Sequence, residues 1–280
     1  VVQDKKVIHE QRFPADFSSI CKQHAPAIAL QEILRISLSA LQQAMKQYPD
    51  VNGIGIGFPG FIDPVAGHVV QSPNLPGLRH VDIAGELSRL IGLPVVMEND
   101  ALVAAFGEFL LLPQAPRSMV YIGLGTGVGG GFIHAAKPYP GDHGIAMEVG
   151  HLITEHKGRL CGCGNHGCLE QYASATGVSQ SYHQVTGESL SAQDIAERAA
   201  QGDSAALDAY ALAGRHLGLA IAHLAKILDP EVVLIGGGMS QAWPYFSPAL
   251  FQQLHDDSIP VLRDKIDVRV SNSSDQAGII

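Results

Sequence analysis

The sequence runs to 280 residues, 46% hydrophobic and 16% charged, a composition that excludes a disordered chain and is long enough for one large or two medium domains. Eighteen Lys and Arg stand against 27 Asp and Glu, a formal net charge of −9, which argues against nucleic acid as the main partner. No apolar run reaches the roughly 18 residues of a membrane span, so no membrane partner is expected either.

In chain order, Val1-Val2 and 7–10 read as two strands of a hairpin around a polar turn. Residues 27–48 read as a helix, with Ile28, Leu34, Leu38, Leu41 and Met45 at helical spacing and Pro49 after its end. A strand over 51–58 runs into the Pro59-Gly60 turn. Its glycines, 53, 55 and 57, are not a dinucleotide fingerprint, because no helix follows them. Ser72-Pro-Asn-Leu-Pro-Gly77 is a loop, and 82–91 a short helix capped by Asp82. Pro94-Val-Val-Met97 reads as a buried strand ending on Glu98-Asn99-Asp100, with a helix over 101–112. A carboxylate at the carboxyl end of a strand is where α/β sheets place ligand chemistry; capping the helix is the plainer job for the same residue.

Residues 118–124 read as a strand, 125–131 (Gly-Thr-Gly-Val-Gly-Gly-Gly) as a turn, and 132–134 as a second strand. Lacking Gly-Lys-Ser/Thr and a following helix, this is not a P-loop. Successive backbone N–H groups in such a turn make an anion nest, and glycine allows close approach. Helices are expected over 176–178, 192–200, 204–228 and 246–255, strands over 231–235 and 266–270, and the start of a helix over 277–280. Gly236-Gly237-Gly238 follow the 231–235 strand.

The segment 148–170 carries the densest chemistry. His151, Cys161, Cys163 and Cys168 are separated by nine, one and four residues. Three thiols and an imidazole are a usual set for a closed tetrahedral structural zinc site, and Gly162, Gly164 and Gly167 let the backbone bend around one ion. A disulfide suits this chain poorly, with four cysteines and no signal peptide; free thiols and zinc point to a reducing, cytoplasmic setting. Glu148 and Glu170 bracket the cluster. His156 and His166 read as solvated bystanders and Cys21 as an isolated small apolar side chain.

Together, Glu98-Asn99-Asp100, Leu124-Gly-Thr-Gly-Val-Gly-Gly-Gly131, Glu148-Val-Gly-His151, Cys161-Gly-Cys-Gly-Asn-His-Gly-Cys-Leu-Glu170 and Ile235-Gly-Gly-Gly-Met239 resemble, in order, the motifs of the ROK family of repressors and sugar kinases. Ser72-Pro-Asn-Leu-Pro-Gly77 and Ser274-Asp-Gln-Ala-Gly-Ile279 look most like the family's bacterial glucokinases. The resemblance implies an α/β, two-lobed, actin-like ATPase (ribonuclease H-like) fold with a zinc-binding loop, divided as a smaller lobe over 1–108 and a larger one over 109–280. It implies transfer of phosphate from ATP, with Mg2+, to a hexose, most simply glucose, bound in the cleft between the lobes. Asp100 would be the base. Gly60, Asn74, Asn99, Glu148, His151 and Glu170 would bind the sugar. Gly125, Thr126 and Gly127 would hold phosphates, and Gly236, Gly237 and Gly238 would flank the adenosine. An N-acetylglucosamine, N-acetylmannosamine or other hexose kinase, polyphosphate as donor, and a sugar-sensing repressor stand as alternatives. The family commonly forms homodimers. Its kinases open with an Asp-x-Gly-Gly-Thr hairpin that would precede Val1, and close with a helix that would follow Ile280, so the sequence is expected to be trimmed at both ends.

Overall fold

The computed structural model describes residues 1–263 and 265–280, with the backbone alone for 274–276; the side chains of Ser274, Asp275 and Gln276, part of the closing motif above, lie outside the described residues. The chain divides into two compact units. The first comprises 1–107, 139–146 and 276–280, and the second 108–138 and 147–275.

The first unit opens on the expected hairpin, β1 (Val2–Gln3) antiparallel to β2 (Lys6–Val7). Asp4 and Lys5 both take positive φ at its turn, the backbone that two-residue hairpins favour. The short helix α1 (Phe17–Gln23), which periodicity did not reveal, is capped by Asp16, whose Oδ1 accepts from the Ser19 N–H at 2.9 Å. In α2 (Pro26–Gln47) the buried face is Ala29 and Ile33, with Leu34, Leu38 and Leu41 packed beside them; Ile28, placed on the apolar stripe by spacing, is 54% exposed.

The strand β3 (Ile54–Phe58) leads into a three-stranded antiparallel meander, β4 (Phe61–Ile62), β5 (Val69–Gln71) and β6 (Arg79–Val81), followed by α3 (Ile83–Ile91). Asp82 caps α3, accepting from the Gly85 N–H at 2.8 Å, and Gly92 ends it in the left-handed region. Next, β7 (Val95–Asn99) pairs parallel with β3, bringing Phe58 opposite Asn99. Val96 is 69% exposed, so β7 is not the fully buried strand its composition suggests. The helix α4 (Asp100–Leu111) begins on the next residue with no loop between.

The second unit is built on a five-stranded sheet. Its strands are β8 (Ser118–Leu124), β9 (Val128–His134), β10 (Lys137–Pro138), β11 (Val232–Gly236) and β12 (Asp267–Val270), in the order β10-β9-β8-β11-β12. β8 and β9 form the antiparallel hairpin; β11 lies parallel to β8, and β12 to β11. The interior strand β11, between β8 and β12, is buried along its whole length, as its unbroken apolar run requires of a strand covered on both faces. Helices α5 (Glu170–Ala173), α6 (Ala175–Thr186), α7 (Ala192–Ala200), α8 (Ser204–Leu228) and α9 (Trp243–Asp257) complete the unit. Both α7 and α8 have the bounds that sequence gives. Ser191 and Asp194 form a capping box on α7, and Asp203 caps α8. Leu217 and Ile221 of α8 are fully buried against this core, each stabilising it by about 1.5–3 kcal/mol.

Two further sequence expectations need correction. β9 starts at Val128, so Gly129, Gly130 and Gly131 are strand, opposite Gly123, Ile122 and Tyr121, and the turn is only Gly125-Thr126-Gly127. The helix expected from 277 is a 3-10 segment over Ser274–Ile279.

Candidate active site and metal centre

The metal loop is a compact knot. His151, Cys161, Cys163 and Cys168 each offer one ligand atom, all within 4.8 Å of one another. Cys163 Sγ lies 3.6 Å from Cys168 Sγ, and Cys161 Sγ lies 3.7 Å from His151 Nδ1. A tetrahedral zinc with Zn–S about 2.3 Å and Zn–N about 2.0–2.1 Å would set these edges at about 3.8 and 3.6 Å. The donor set therefore fits zinc in kind and in spacing. All four cysteines are free thiols. Burial and the neighbouring thiols push Cys168 up to about 12, so holding three thiolates this close calls for a cation.

The knot is held by its own backbone. Ile153 bridges Cys168, Leu160 bridges His166, and the Cys161 N–H donates to the Asn165 carbonyl at 2.8 Å. Gly167 sits at φ +81°, and a Cβ there would lie 1.7 Å from the Glu155 carbonyl oxygen, so both backbone and space demand glycine. His156 and His166 are exposed, as expected of bystanders. They line, with Ile153 and Lys157, an open hollow of about 530 Å³ that includes none of the anticipated site residues.

The loop is joined to the glycine hairpin at both ends. At its start, 148–151 form a 3-10 turn against β9, where a Cβ on Gly150 would meet the Val128 carbonyl oxygen at 2.2 Å. His151 is thereby oriented with Nδ1 toward the thiols and Nε2 3.8 Å from Glu148 Oε2. At its end, Glu170 opens α5, and its Oε2 accepts from the Val128 N–H at 3.0 Å. A Cβ on Gly127 would fall 2.4 Å from that oxygen. The turn is further tied by the Ala175 N–H to the Gly125 carbonyl and by Thr176 Oγ1–H to the Thr126 carbonyl, both 2.9 Å.

These bonds occupy two of the turn's N–H groups. The Gly125 N–H donates to the Gly127 carbonyl at 2.9 Å and the Val128 N–H is taken by Glu170. Thr126 and Gly127 keep N–H groups without a protein partner among the described residues. At the end of β11, Gly237 (φ +81°) is required by the Leu124 backbone, 2.4 Å from where its Cβ would lie, and Gly236 by the Tyr121 ring; only Gly238 faces open space.

In the first unit, Asn99 caps α4, its Oδ1 accepting from the Leu102 N–H at 3.1 Å while Nδ2 donates to the Gly60 carbonyl at 3.0 Å. Asn99 rather than Asp100 thus takes the capping job, and Asp100 is the first helical residue. Gly60 is pressed against the Ser72 strand end, with a Cβ there 2.8 Å from the Gln71 carbonyl oxygen, and Ser72 Oγ–H donates to the Pro59 carbonyl. Gly60, Asn99, Asp100 and the start of the Asn74 loop are therefore gathered at the carboxyl ends of β3 and β7; Asn74 itself is exposed. Asp100 Oδ1 accepts from the Ala101 N–H at 2.9 Å. Desolvation nevertheless raises the Asp100 carboxyl above the ordinary aspartate value, against the backbone hydrogen bonds that lower it.

Sequence reasoning missed the Glu170–Val128 bond and the role of Arg159, whose guanidinium reaches from the metal loop to α5 and α6. An arginine between Gly158 and Leu160, amid ligand residues, was the available signal.

The chain matches the ROK family over residues 3–280. It is 34% identical over 251 residues to a glucokinase of Halalkalibacterium halodurans, covering 84% of this chain and 76% of the relative. It is 32% identical over 256 residues to an N-acetyl-D-glucosamine kinase of Pasteurella multocida, covering 85% and 83%. Among solved structures it resembles a ROK family glucokinase from Streptomyces griseus in complex with glucose and AMPPNP, with a TM-score of 0.74, 32% identity and coverage of 86% and 84%. The chain belongs to the ROK family, and its α/β architecture is that of the family's actin-like ATPase fold.

Proposed function

We propose that this protein phosphorylates a hexose with ATP, glucose first among candidates. The observation that carries this reading is the junction of Glu170 with the glycine hairpin. One carboxylate oxygen is committed to Val128, Oε1 has no protein partner among the described residues, and the free Thr126 and Gly127 N–H groups lie in the same turn. A hydroxyl acceptor seated on the hairpin beside an anion donor pair in its turn suits a reaction between a sugar and a phosphate.

In this reading Asp100 takes the proton of the attacking hydroxyl as its oxygen bonds to the γ-phosphorus and the bond to the β-phosphate oxygen breaks, releasing ADP. Glu148, His151 and Glu170 bind other ring hydroxyls, and carboxylates suit this because each oxygen accepts strongly. Asn74 is a further candidate sugar ligand. Asn99 and Gly60 hold each other and so fix the strand end on which Asp100 stands. Gly125, Thr126 and Gly127 face the phosphates, with Gly238 nearest the nucleoside. Magnesium, bound with ATP, would neutralise phosphate charge. Zinc on His151, Cys161, Cys163 and Cys168 would supply no step; it would hold Glu148 and Glu170 in place.

Steady-state ADP release over glucose, mannose, fructose, N-acetylglucosamine and N-acetylmannosamine tests the proposal. The highest kcat/KM is expected with glucose. Preference for an N-acetylhexosamine would change the substrate, and sugar binding without ADP release from any of them would favour a sensor.

A further inference from the structure

Arg159 plays no part in the chemistry proposed above, yet it is the most extensively bonded side chain in the metal loop. Its Nη1 donates to the Gln171 carbonyl at 2.7 Å and the Gly177 carbonyl at 3.2 Å. Its Nη2 donates to Ser181 Oγ at 3.1 Å and Gln184 Oε1 at 2.8 Å. Its backbone N–H donates to the Tyr172 hydroxyl at 2.9 Å, and its guanidinium carbon stands 4.7 Å from the centre of the Tyr172 ring. That ring also stacks on His216 at 3.9 Å, and His216 Nδ1 meets Thr154 Oγ1 at 2.9 Å. The Thr154 N–H donates to the Gly167 carbonyl, back in the metal knot.

No carboxylate pairs with this guanidinium among the described residues. A half-buried cation without a counter-ion is unfavourable unless neutral acceptors solvate it. Here four acceptors do so, and they belong to two successive helices: Gln171 to the α5 that Glu170 opens, the other three to α6. A planar fork with several fixed donors can span such a set.

We propose that Arg159 is a positioning residue that clamps the metal loop to α5 and α6, so that loop and Glu170 move as one body and hold the sugar-side carboxylate in register. The part concerning sugar rests on the reading of Glu170 given above; the clamp itself does not.

The test uses the full zinc-loaded chain and its Arg159→Gln and Arg159→Lys variants, measuring zinc content, hexose KM, ATP KM and amide deuterium uptake over 168–184. Both variants are expected to keep one zinc per chain. Hexose KM should rise at least about tenfold, the usual scale for losing a group that orients a ligand-bearing residue, with ATP KM held within about twofold. Uptake should quicken over 168–184 and stay unchanged in β8. Lysine should not rescue, because one ammonium cannot serve both helices. Should Arg159→Gln lose its metal, Gln184→Ala removes one exposed acceptor instead and should shift both readouts in the same direction by about two- to threefold. Unchanged uptake in Arg159→Gln, equal rises in both KM values with general loosening, or full rescue by lysine would overturn the clamp. If the parent phosphorylates no hexose, the reading of Glu170 fails, and uptake alone decides the clamp.

Discussion

Adding one methyl group at Gly127 should separate the Glu170 carboxylate from its hairpin. The new Cβ would lie 2.4 Å from Glu170 Oε2 and 3.3 Å from its Cδ, against an ordinary contact of about 3.5 Å. Backbone need not move, because the obstructing atom is the end of a flexible side chain. Glu170 can swing away, losing its 3.0 Å bond from the Val128 N–H. A hydrogen bond to a charged group contributes about 1.5–3 kcal/mol, and Glu170 is half-exposed, so water recovers part of that. Gly127→Ala should therefore cost about 1–2 kcal/mol in a urea titration. Hexose KM should rise by more than that loss implies, since the carboxylate is displaced from its working position. Gly125→Ala is the control for stability: a Cβ there meets nothing within 4 Å, and its cost should stay below about 0.5 kcal/mol. A Gly127→Ala protein with parental stability and parental hexose KM would refute the claim that this bond fixes Glu170.

Asp100→Asn should lower kcat by about 10²–10⁴-fold, the scale of general-base catalysis, while the fold persists, because an amide oxygen can still accept from the Ala101 N–H; a parental kcat would remove Asp100 as base. Because desolvation raises the Asp100 carboxyl, the base is lost to protonation as pH falls through that raised value. The acid limb of kcat should lie above the ordinary aspartate value of about 3.9. A raised folded-state value also means that ionisation opposes folding at neutral pH, so Asp100→Asn should be at least as stable as the parent there; a marked drop in Tm would contradict this. Gly150→Ala puts a Cβ 2.2 Å from the Val128 carbonyl oxygen, a backbone atom that cannot swing aside; a loss of about 1–3 kcal/mol is expected in denaturant, and a loss below about 0.5 would deny the tight seating of the 148–151 turn. Chelation should release one zinc per chain and quicken amide exchange over 151–170; exchange unaffected by the chelator would show that the backbone bridges alone hold the knot.

The cluster of His151, Cys161, Cys163 and Cys168 was legible because its chemistry is written in residue type and spacing, and the cap at Asp82 because a cap is a local device. Long α8 was legible because its apolar stripe repeats over many turns and Asp229-Pro230 stops it. The short strands β4 to β6 were not, since two or three residues carry no alternation to read. Gly129, Gly130 and Gly131 read as turn because glycine disfavours strands locally; pairing with β8 overrides that preference. Ile28 was placed on the buried stripe because spacing gives a period and leaves the phase to tertiary packing. The Glu170–Val128 bond and the Arg159 fork lay beyond sequence altogether, for each joins residues 12 to 42 positions apart, and three of those five bonds end on backbone atoms that every residue possesses.

The most direct test of the central claim, that the metal-held loop presents Glu170 to a sugar, is calorimetric titration of glucose into the zinc-loaded protein and into its Glu170→Ala variant. The account expects saturable binding by the parent and a Kd at least about tenfold weaker in the variant, with zinc retained, since one charge-assisted hydrogen bond contributes about 1.5–3 kcal/mol. Equal Kd values in the two proteins would contradict it.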